Sequence, residues 1–211
     1  MISLYTYWRS TAAYRVRIAL NLKGLSYDSI PVDLVKDGGE QHQQTFKKVN
    51  PQGLVPALID DGVVLNQSMA IMEYLEEVYP ETSILPQEPH IRARCRGLAQ
   101  MIVSDIHPLN NLRVLQYLKK SWSQEQVDDW YHNWIHKGFT AIEQMLMERD
   151  TRFMSADYPC IDDICLIGQL YNARRFKVPL ETYPLILEIE QRCGEMAAFA
   201  DAHPSQQAEA Q

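Results

Sequence analysis

Apolar and polar residues alternate along the first stretch of the chain and then change to a helical spacing. Residues 2–7, ISLYTY, alternate in the manner of a half-buried β-strand. Residues 11–23 instead place Val16 and Leu20 on one face of a helix, and this pattern ends before Gly24. The chain therefore begins with a predicted strand that leads directly into a helix.

The residues up to position 80 predict three more strands and a second helix. Residues 25–34, LSYDSIPVDL, form the second predicted strand, and residues 53–67 form two strands around the tight turn Asp61-Gly62. Residues 68–79 carry apolar side chains on one helical face. An order of β-α-β followed by β-β-α predicts a small mixed sheet with helices packed on it, in an α/β domain of residues 1–80.

Three prolines, Pro80, Pro86 and Pro89, interrupt this pattern. Proline restricts its own backbone and that of the residue before it, so residues 81–90 are predicted to be an extended linker. Beyond them no segment alternates, and apolar residues recur three and four positions apart. The sequence therefore predicts an all-helical second domain of residues 91–211.

Composition narrows the range of partners and compartments. The 211 residues carry a formal net charge of -7, which argues against a nucleic-acid-binding surface as a global property. We expect no membrane span, because no run of about 18 apolar residues occurs, and no secretory signal, because the N-terminus lacks a basic segment. The cysteines fit no CxxC or metal-ligand spacing, so we expect free thiols, no metal and a cytoplasmic protein. The four cysteines of the chain are Cys95, Cys160, Cys165 and Cys193.

Two hydroxyl residues, Ser10 and Thr11, stand where the first strand leads into the first helix, between Arg9 and the pair Arg15 and Arg17. A hydroxyl at a helix start commonly accepts a hydrogen bond from an unpaired backbone N–H and stabilises the helix by about 1 kcal/mol. A helix N-terminus also carries partial positive charge and free donors, which suit an anion or a thiolate. The residues alone leave both roles open.

Two further dipeptides, Val55-Pro56 and Gln67-Ser68, precede a predicted strand and a predicted helix. Proline suits a strand start because it cannot donate a ladder bond, and a cis bond is one option there. Ser68 is either a helix cap or, with Gln67 and the helix N-terminus, the receptor for a carboxylate. Open α/β sheets often bind ligands beside such strand and helix ends, so these dipeptides predict a candidate binding edge.

Six motifs, in order along the chain, carry a family resemblance. They are RSTAAYRVRIALNLKG, LVKDGGEQH, NPQGLVPAL, QSMAIMEYLEE, DIHPLNNLRVL and ARRFKVPLETYP. The first half resembles the thioredoxin-like domain of a glutathione transferase, and the second half resembles its helical domain. The motifs resemble most narrowly the zeta class, which includes maleylacetoacetate and maleylpyruvate isomerases. The resemblance implies the glutathione transferase fold, glutathione as cofactor and a homodimer.

The resemblance also implies roles for particular residues. Ser10, with Thr11 beside it, matches the hydroxyl that faces the glutathione sulfur, and Val55, next to a cis-Pro56, matches the backbone contact with the cysteinyl part. The other matched positions are Gln41 at the glycyl end, Gln67 and Ser68 at the γ-glutamyl carboxylate, and His107, Asn111 and Arg113 on the helical domain. For His107 the residues alone also allow an ordinary surface histidine ahead of Pro108.

Two arginines complete the expected site. A diacid substrate needs two cationic anchors, and arginine binds carboxylates through a planar fork. The resemblance places Arg9 and Arg175 near the electrophile, and the neighbouring Arg174 competes with Arg175 for this role. A lone arginine is otherwise most often a solvated or paired surface group.

The chain departs from the family motifs at two positions. Ala12 stands where the family often has a cysteine, so the nucleophile is expected to be the thiol of glutathione rather than one of the protein's own. Cys160 stands where the family has Ser or Thr as a helix cap, with Asp163 retained, and we expect that turn to be weaker by about 1 kcal/mol.

The expected activity is the glutathione-dependent isomerisation of maleylacetoacetate to fumarylacetoacetate by reversible thiolate addition. Three alternatives remain: a maleylpyruvate isomerase that acts on a shorter diacid, a broader glutathione transferase, and a non-catalytic scaffold with the same fold. Intact Ser10, Gln67 and Ser68 argue against the scaffold, because a scaffold needs no thiol site.

Overall fold

The computed structural model describes residues 1–210, apart from the side chain of Asp37, and divides into two compact units. Unit 1 comprises Met1–Ile84 together with the C-terminal residues from Glu195 onward, and unit 2 comprises Leu85–Gly194. The strands that the structure describes all belong to unit 1, so the predicted fold class, α/β followed by all-α, is confirmed. Within residues 1–210, no helix combines the length and the apolar composition needed to cross a bilayer.

Unit 1 is built on a four-stranded mixed sheet in the order β2-β1-β3-β4. Strand β1 is parallel to β2 and antiparallel to β3, and β3 and β4 form a hairpin. Both residues of the hairpin turn, Asp61 and Gly62, have positive φ (45° and 83°), as a tight hairpin turn of this hand requires. The strands are β1 Ile2–Thr6, β2 Tyr27–Pro31, β3 Ala57–Asp60 and β4 Val63–Asn66, and the helices are α1 Thr11–Leu22, α2 Gln44–Lys47 and α3 Ser68–Val78, with 3-10 turns at Lys36–Gly38 and Glu40–His42.

The register of the sheet brings three of the predicted site segments to one end of it. Ala57, the first residue of β3, pairs with Tyr5 of β1 on one side and with Asn66 of β4 on the other. The loop to α1 leaves β1 at this end, α3 begins just after Asn66, and the Val55–Pro56 bond, which is cis, immediately precedes β3. The N-termini of α1 and α3 therefore lie beside the cis bond.

Unit 2 is helical in the part that the structure describes. Helix α4 begins at Pro89, which lies within the predicted linker of residues 81–90, so unit 2 starts before that linker was expected to end. Proline is common at the first position of a helix, and Pro89 occupies that position. Helix α7 is buried on nearly every side as far as Leu170 and forms the centre of the unit. The helices are α4 Pro89–Gln100, α5 Leu112–Leu118, α6 Gln124–Leu146, α7 Ile161–Arg175 and α8 Pro184–Gly194, with a π-helix at Met101–Ile106.

The C-terminal residues join unit 1, whereas the sequence prediction grouped residues 91–211 in one helical domain. Arg17 Nε donates to the carbonyl of Ala202 at 3.1 Å, and Asn21 Nδ2 donates to the carbonyl of Ala198 at 3.1 Å. Helical periodicity shows that this segment is helical but not which body it packs on, and these bonds to α1 decide the matter. The elements are α9 Ala197–Ala202 and 3-10 turns at Pro204–Gln206 and Ala208–Ala210.

Candidate active site

Ser10 is the N-cap residue of α1. Its Oγ accepts the backbone N–H of Ala13 at 3.2 Å, as the capping role predicts. Because the oxygen accepts this bond through a lone pair, the hydroxyl proton remains available to donate. Ser10 is half-buried, whereas Thr11 is only 2% exposed. Of the two hydroxyls, that of Ser10 is the more accessible to a ligand.

Arg9 lies on the surface of unit 1 next to this cap. Its guanidinium carbon is 4.1 Å from the centre of the Trp8 ring, which holds the cation by a cation–π contact. Arg9 is exposed and forms no ion pair with the residues that the structure describes. Its charge is therefore available to an anionic ligand.

The turn that precedes the cis Val55–Pro56 bond is held by a residue that the sequence patterns did not single out. Asn50, which is 1% exposed, donates from Nδ2 to the carbonyl of Leu54 at 2.6 Å and accepts the N–H of Gln52 at 3.1 Å. Gln41 packs against the same turn, because a Cβ at Gly53 would lie 3.0 Å from the Gln41 carbonyl oxygen. Asn50 and Gln41 thus fix the approach to the cis bond.

Gln67 precedes α3 in a strained conformation. Its φ of 70° is unusual for a residue other than glycine and costs about 1–3 kcal/mol, a strain that is found most often at functional sites. The Gln67 side chain forms no cap bond with the helix and instead donates from Nε2 to Oε1 of Gln52 at 2.9 Å. The Gln67 side chain therefore does not cap α3, whose N-terminus carries the partial positive charge that suits an anion.

Ser68 is the first residue of α3 rather than its cap. It is 4% exposed, and its Oγ accepts a hydrogen bond from Nη1 of Arg15 at 3.3 Å. Arg15 is itself 1% exposed and comes from the interior of α1. The structure thus connects the two helix N-termini that the sequence marked as candidate ligand sites.

In unit 2, the π-helix leads into the predicted site segment of residues 107–113. The N–H of His107 donates to the carbonyl of Ile102 at 2.9 Å, the wide spacing that is found frequently at functional sites. Asn111 then caps α5, where its Oδ1 accepts the N–H of Arg113 at 3.2 Å. His107 and Asn111 are half-buried and Arg113 is exposed, so all three remain accessible.

The two adjacent arginines at the end of α7 differ in their partners. Arg174 is engaged in a two-pronged ion pair with Glu190, in which Nε lies 2.8 Å from Oε1. Arg175 is exposed, lies 5.0 Å from the Phe176 ring centre and has no ion pair within the described part of the chain. Arg175 is therefore the arginine that remains available to a ligand.

The segment of residues 107–113 is tied to the end of α7 through the α6 residue Tyr131. Asn110 Nδ2 donates to the carbonyl of Tyr131 at 3.1 Å, and the Tyr131 ring stacks on Phe176 with centroids 3.9 Å apart. Burial raises the pKa of the Tyr131 hydroxyl, and the nearby charge of Arg175 offsets part of that effect. Arg175 is thus held on the same side of unit 2 as the 107–113 segment.

The protein's own thiols are poorly suited to act as nucleophiles. All four cysteines are free and buried. The pKa of Cys95 is raised by its hydrogen bond with Cys160 and by burial, and that of Cys193 is raised mainly by burial. With Ala12 at the candidate site, a thiol nucleophile has to come from a ligand.

One buried group, Cys95, Cys160 and Asp162, has the composition of a metal site, with ligand atoms within 4.8 Å of one another. The carboxylate of Asp162 is already engaged, because it accepts the Ser155 hydroxyl at 2.5 Å and the Asp163 N–H at 3.1 Å. These bonds give the group a structural role at the start of α7, apart from the candidate active site.

Comparison with known proteins defines the class. Residues 9–78 match the family model "Glutathione S-transferase, N-terminal domain", which spans α1, the cis bond and α3. The maleylacetoacetate isomerase of Pseudomonas aeruginosa is 47% identical over 209 residues, which cover 98% of this chain and 97% of that protein.

Solved structures narrow the class further. The holo structure of a maleylpyruvate isomerase, described as a bacterial zeta-class glutathione S-transferase, superposes with a TM-score of 0.94 and 43% identity, covering 99% of this chain and 100% of that one. A maleylacetoacetate isomerase from Methylobacterium extorquens AM1, with bound malonate and glutathione, has a TM-score of 0.93 and 40% identity over 99% of each chain. The chain belongs to the zeta class of the glutathione transferase family.

Proposed function

We propose that this protein is a glutathione-dependent cis–trans isomerase that converts maleylacetoacetate to fumarylacetoacetate. The observation that carries the proposal is the convergence, at one end of the sheet in unit 1, of an accessible N-cap hydroxyl, a cis X-Pro bond and a helix N-terminus that the side chain of its N-cap residue Gln67 does not cap. A γ-glutamyl tripeptide thiol has a matching set of groups: a sulfur to ionise, a peptide backbone to pair and a carboxylate to hold.

When bound, glutathione supplies a thiolate that adds reversibly to the activated cis double bond, which lets the bond rotate before elimination restores a double bond in the trans form. The Ser10 hydroxyl and the α1 N-terminus favour the thiolate over the thiol at this position. Val55 pairs with the cysteinyl backbone, and Gln67 and Ser68 hold the γ-glutamyl carboxylate. Gln41 serves the glycyl end.

The diacid is held by cations. Arg9 and Arg175 are both exposed, and neither forms an ion pair among the described residues. Each guanidinium can therefore bind one of the two carboxylates of a diacid. The same positive charge stabilises the enolate that develops while the double bond is broken. The accessible residues His107, Asn111 and Arg113 are further candidates for ligand contacts, as their match to the family motif implies. The malonate bound to the Methylobacterium relative, itself a dicarboxylate, supports a diacid substrate.

The test compares maleylacetoacetate with maleylpyruvate, each with and without glutathione. We expect glutathione-dependent isomerisation of both, with the higher kcat/KM for maleylacetoacetate. A preference for maleylpyruvate would support the alternative of a maleylpyruvate isomerase, since the fold matches solved structures of both kinds of isomerase almost equally well, with TM-scores of 0.94 and 0.93. Turnover of aromatic or chlorinated electrophiles without isomerisation of either diacid would contradict the proposal and indicate a broader transferase.

A matched pair of variants tests the diacid anchor. Arg175→Met is expected to raise KM for the diacid at least about tenfold, because a charge-assisted bidentate contact is lost. Arg174→Met removes a neighbouring arginine whose fork is occupied by Glu190, and KM should stay within about twofold. Equal effects of the two substitutions would remove the specific role of Arg175.

We further infer a cytoplasmic homodimer. Four free, buried cysteines suit a reducing compartment. Two valines of the edge strand β4, Val63 and Val64, are 51% and 43% exposed and give unit 1 an apolar edge for a second copy. Light scattering on the purified protein tests the dimer, and Val63→Lys with Val64→Lys should then shift the mass to that of one chain.

A further inference from the structure

Arg15 and Ser68 form a buried contact between the interior of α1 and the first turn of α3. Nη1 of Arg15 lies 3.3 Å from Oγ of Ser68, and the two residues are separated by 53 positions in the chain. Arg15 is 1% exposed and Ser68 is 4% exposed. A guanidinium that is almost entirely removed from water is costly to maintain, so its contacts merit a functional explanation.

The chemistry of the two groups sets the direction of the bond. A guanidinium has only donors, so the Ser68 oxygen must be the acceptor, and the Ser68 proton is left to donate to another group. The N-terminus of α3 has no cap bond from the Gln67 side chain and is itself a centre of partial positive charge. An anion bound in front of Ser68 would be attracted both to the guanidinium of Arg15 and to the N-terminus of α3.

We propose that Arg15 is a positioning residue for the α-carboxylate of the γ-glutamyl group of glutathione. Its buried charge orients the Ser68 hydroxyl toward that carboxylate and adds positive potential behind the α3 N-terminus. Arg15 acts through Ser68 and does not touch the ligand. The inference rests on the glutathione site of the proposed function and explains why a cation about one turn inside α1 belongs to that site.

Arg17, two residues further along α1, offers a matched control. It is 0% exposed and donates to Thr6 Oγ1 at 3.0 Å, to the Trp8 carbonyl at 3.2 Å and to the Ala202 carbonyl at 3.1 Å. These bonds join β1, the loop before α1 and the C-terminal residues. Arg17 is thus an equally buried arginine of the same helix whose contacts are structural.

The experiment measures binding by titration calorimetry with two peptides. One is glutathione, and the other is γ-aminobutyryl-cysteinyl-glycine, which is the same tripeptide without the α-carboxylate. In Arg15→Met we expect the Kd for glutathione to rise about 10- to 100-fold, whereas the Kd for the decarboxylated peptide should change by no more than about twofold. Arg15→Lys, which keeps the charge, should recover part of the affinity for glutathione.

The control variant should behave differently. Arg17→Met is expected to lower the thermal midpoint while leaving the ratio of the two Kd values at its wild-type level. Arg15→Gln, which keeps an amide donor without the charge, replaces Arg15→Met if the latter does not fold. Combining Arg15→Met with Ser68→Ala should cost little more than either change alone, because the two residues act as one unit.

Two outcomes would overturn the inference. One is an equal loss of affinity for both peptides in folded Arg15→Met, which would show a general structural effect. The other is an unchanged Kd for glutathione in that variant. Calorimetry reports binding whether or not the diacid is isomerised, so wild-type protein that binds glutathione without isomerase activity contradicts the proposed function alone. Wild-type protein that does not bind glutathione would overturn both.

Discussion

Replacement of Ser10 by alanine removes both the cap of α1 and the hydroxyl proposed to stabilise the thiolate of glutathione, because one side-chain oxygen serves both roles. The Ser10 oxygen accepts the Ala13 N–H at 3.2 Å and so caps α1. Its proton is the group that we assign to the sulfur of bound glutathione. Ser10→Ala should therefore lower both the stability of the protein and the ionisation of the bound thiol, and the two losses are separable because only one of them depends on pH.

The structural loss is small. Removing a serine cap costs about 1 kcal/mol, which corresponds to a fall of about 2–4 °C in the thermal midpoint for a chain of this length. The control is Ser123→Ala, which removes the capping box of α6 in unit 2 and leaves the thiol site alone. Both variants should lose similar stability, and only Ser10→Ala should lose activity.

The chemical loss follows from the ionisation of a thiol. A free thiol with a pKa of about 8.5 is about 3% ionised at pH 7, and a downward shift of about two units raises that fraction to about 75%. Ser10→Ala should therefore reduce the isomerisation rate by up to about 25-fold at pH 7. Because the free thiol is largely ionised above about pH 9, the ratio of wild-type to variant rates should approach one there.

The assay is a pH profile of isomerisation for both proteins, together with the ultraviolet absorbance of the thiolate of bound glutathione. A rate ratio that stays constant between pH 6 and pH 9 would refute the reasoning, because a loss of positioning alone has no such dependence. Full activity of Ser10→Ala at pH 7 would return Ser10 to the role of a helix cap and transfer the assignment to Thr11.

Three other predictions concern stability. Lys23→Met should lower the free energy of unfolding by about 3 kcal/mol in urea at pH 7, because the buried Lys23 Nζ lies 2.8 Å from Glu76. Burial raises the pKa of Glu76, but its hydrogen bonds with Lys23, Ser83 and Ile84 outweigh that effect and hold the pKa below the ordinary 4.5. The contribution of the ion pair to stability should therefore be lost as the pH falls below 4.5. A difference in unfolding free energy between wild type and Lys23→Met that is as large at pH 3 as at pH 7 would contradict this prediction. Gly138→Ala should cost about 1 kcal/mol despite the better helix propensity of alanine, because its Cβ would overlap both Cδ1 and Cγ1 of Ile106; no loss would show that the π-helix yields freely. Cys160→Ser should raise the thermal midpoint, because a hydroxyl accepts a helix N–H better than the Cys160 thiol that now stands in the capping box with Asp163, and a lower midpoint would show that the buried thiol packs better than a hydroxyl caps.

The four strands of unit 1 and its helices α1 and α3 could be predicted because each has a strong local signal, whereas the short helix α2 and the 3-10 turns before it were not predicted. Residues 2–7 alternate, Asp61-Gly62 marks the hairpin, and the helices start at Thr11 and Ser68 where hydroxyls and apolar spacing predict them. The π-helix at Met101–Ile106 could not be predicted in this way, because its apolar spacing is compatible with an ordinary α-helix. It depends on the close approach of α6 that Gly138 allows, which is a tertiary contact.

The sequence could predict individual residues of the candidate site but not the contacts between residues that are far apart in the chain. Of the two candidate arginines, Arg174 is bonded to Glu190 on the following helix, whereas Arg175 has no ion pair among the described residues, and the sequence carries no signal for this difference. The contact of Arg15 with Ser68 spans 53 positions, and Arg15 looks in the sequence like one more cation in an amphipathic helix. Interactions of this kind depend on which faces of α1 and α3 meet, and a pattern along one segment carries no such information.

The register of the sheet explains how the start of β3 brings the cis bond and the N-termini of α1 and α3 together. Ala57 pairs with both Tyr5 and Asn66, so the chain leaves β1 and β4 on either side of the cis bond that precedes β3. Two helices then start beside it, each with its positive end toward the same region. The cap on α1 uses the oxygen of Ser10 and leaves its proton free, whereas α3 receives no cap bond from the side chain of the strained Gln67 before it. One helix end is therefore suited to the thiolate of glutathione and the other to its γ-glutamyl α-carboxylate, two charged groups that lie a limited distance apart in the tripeptide.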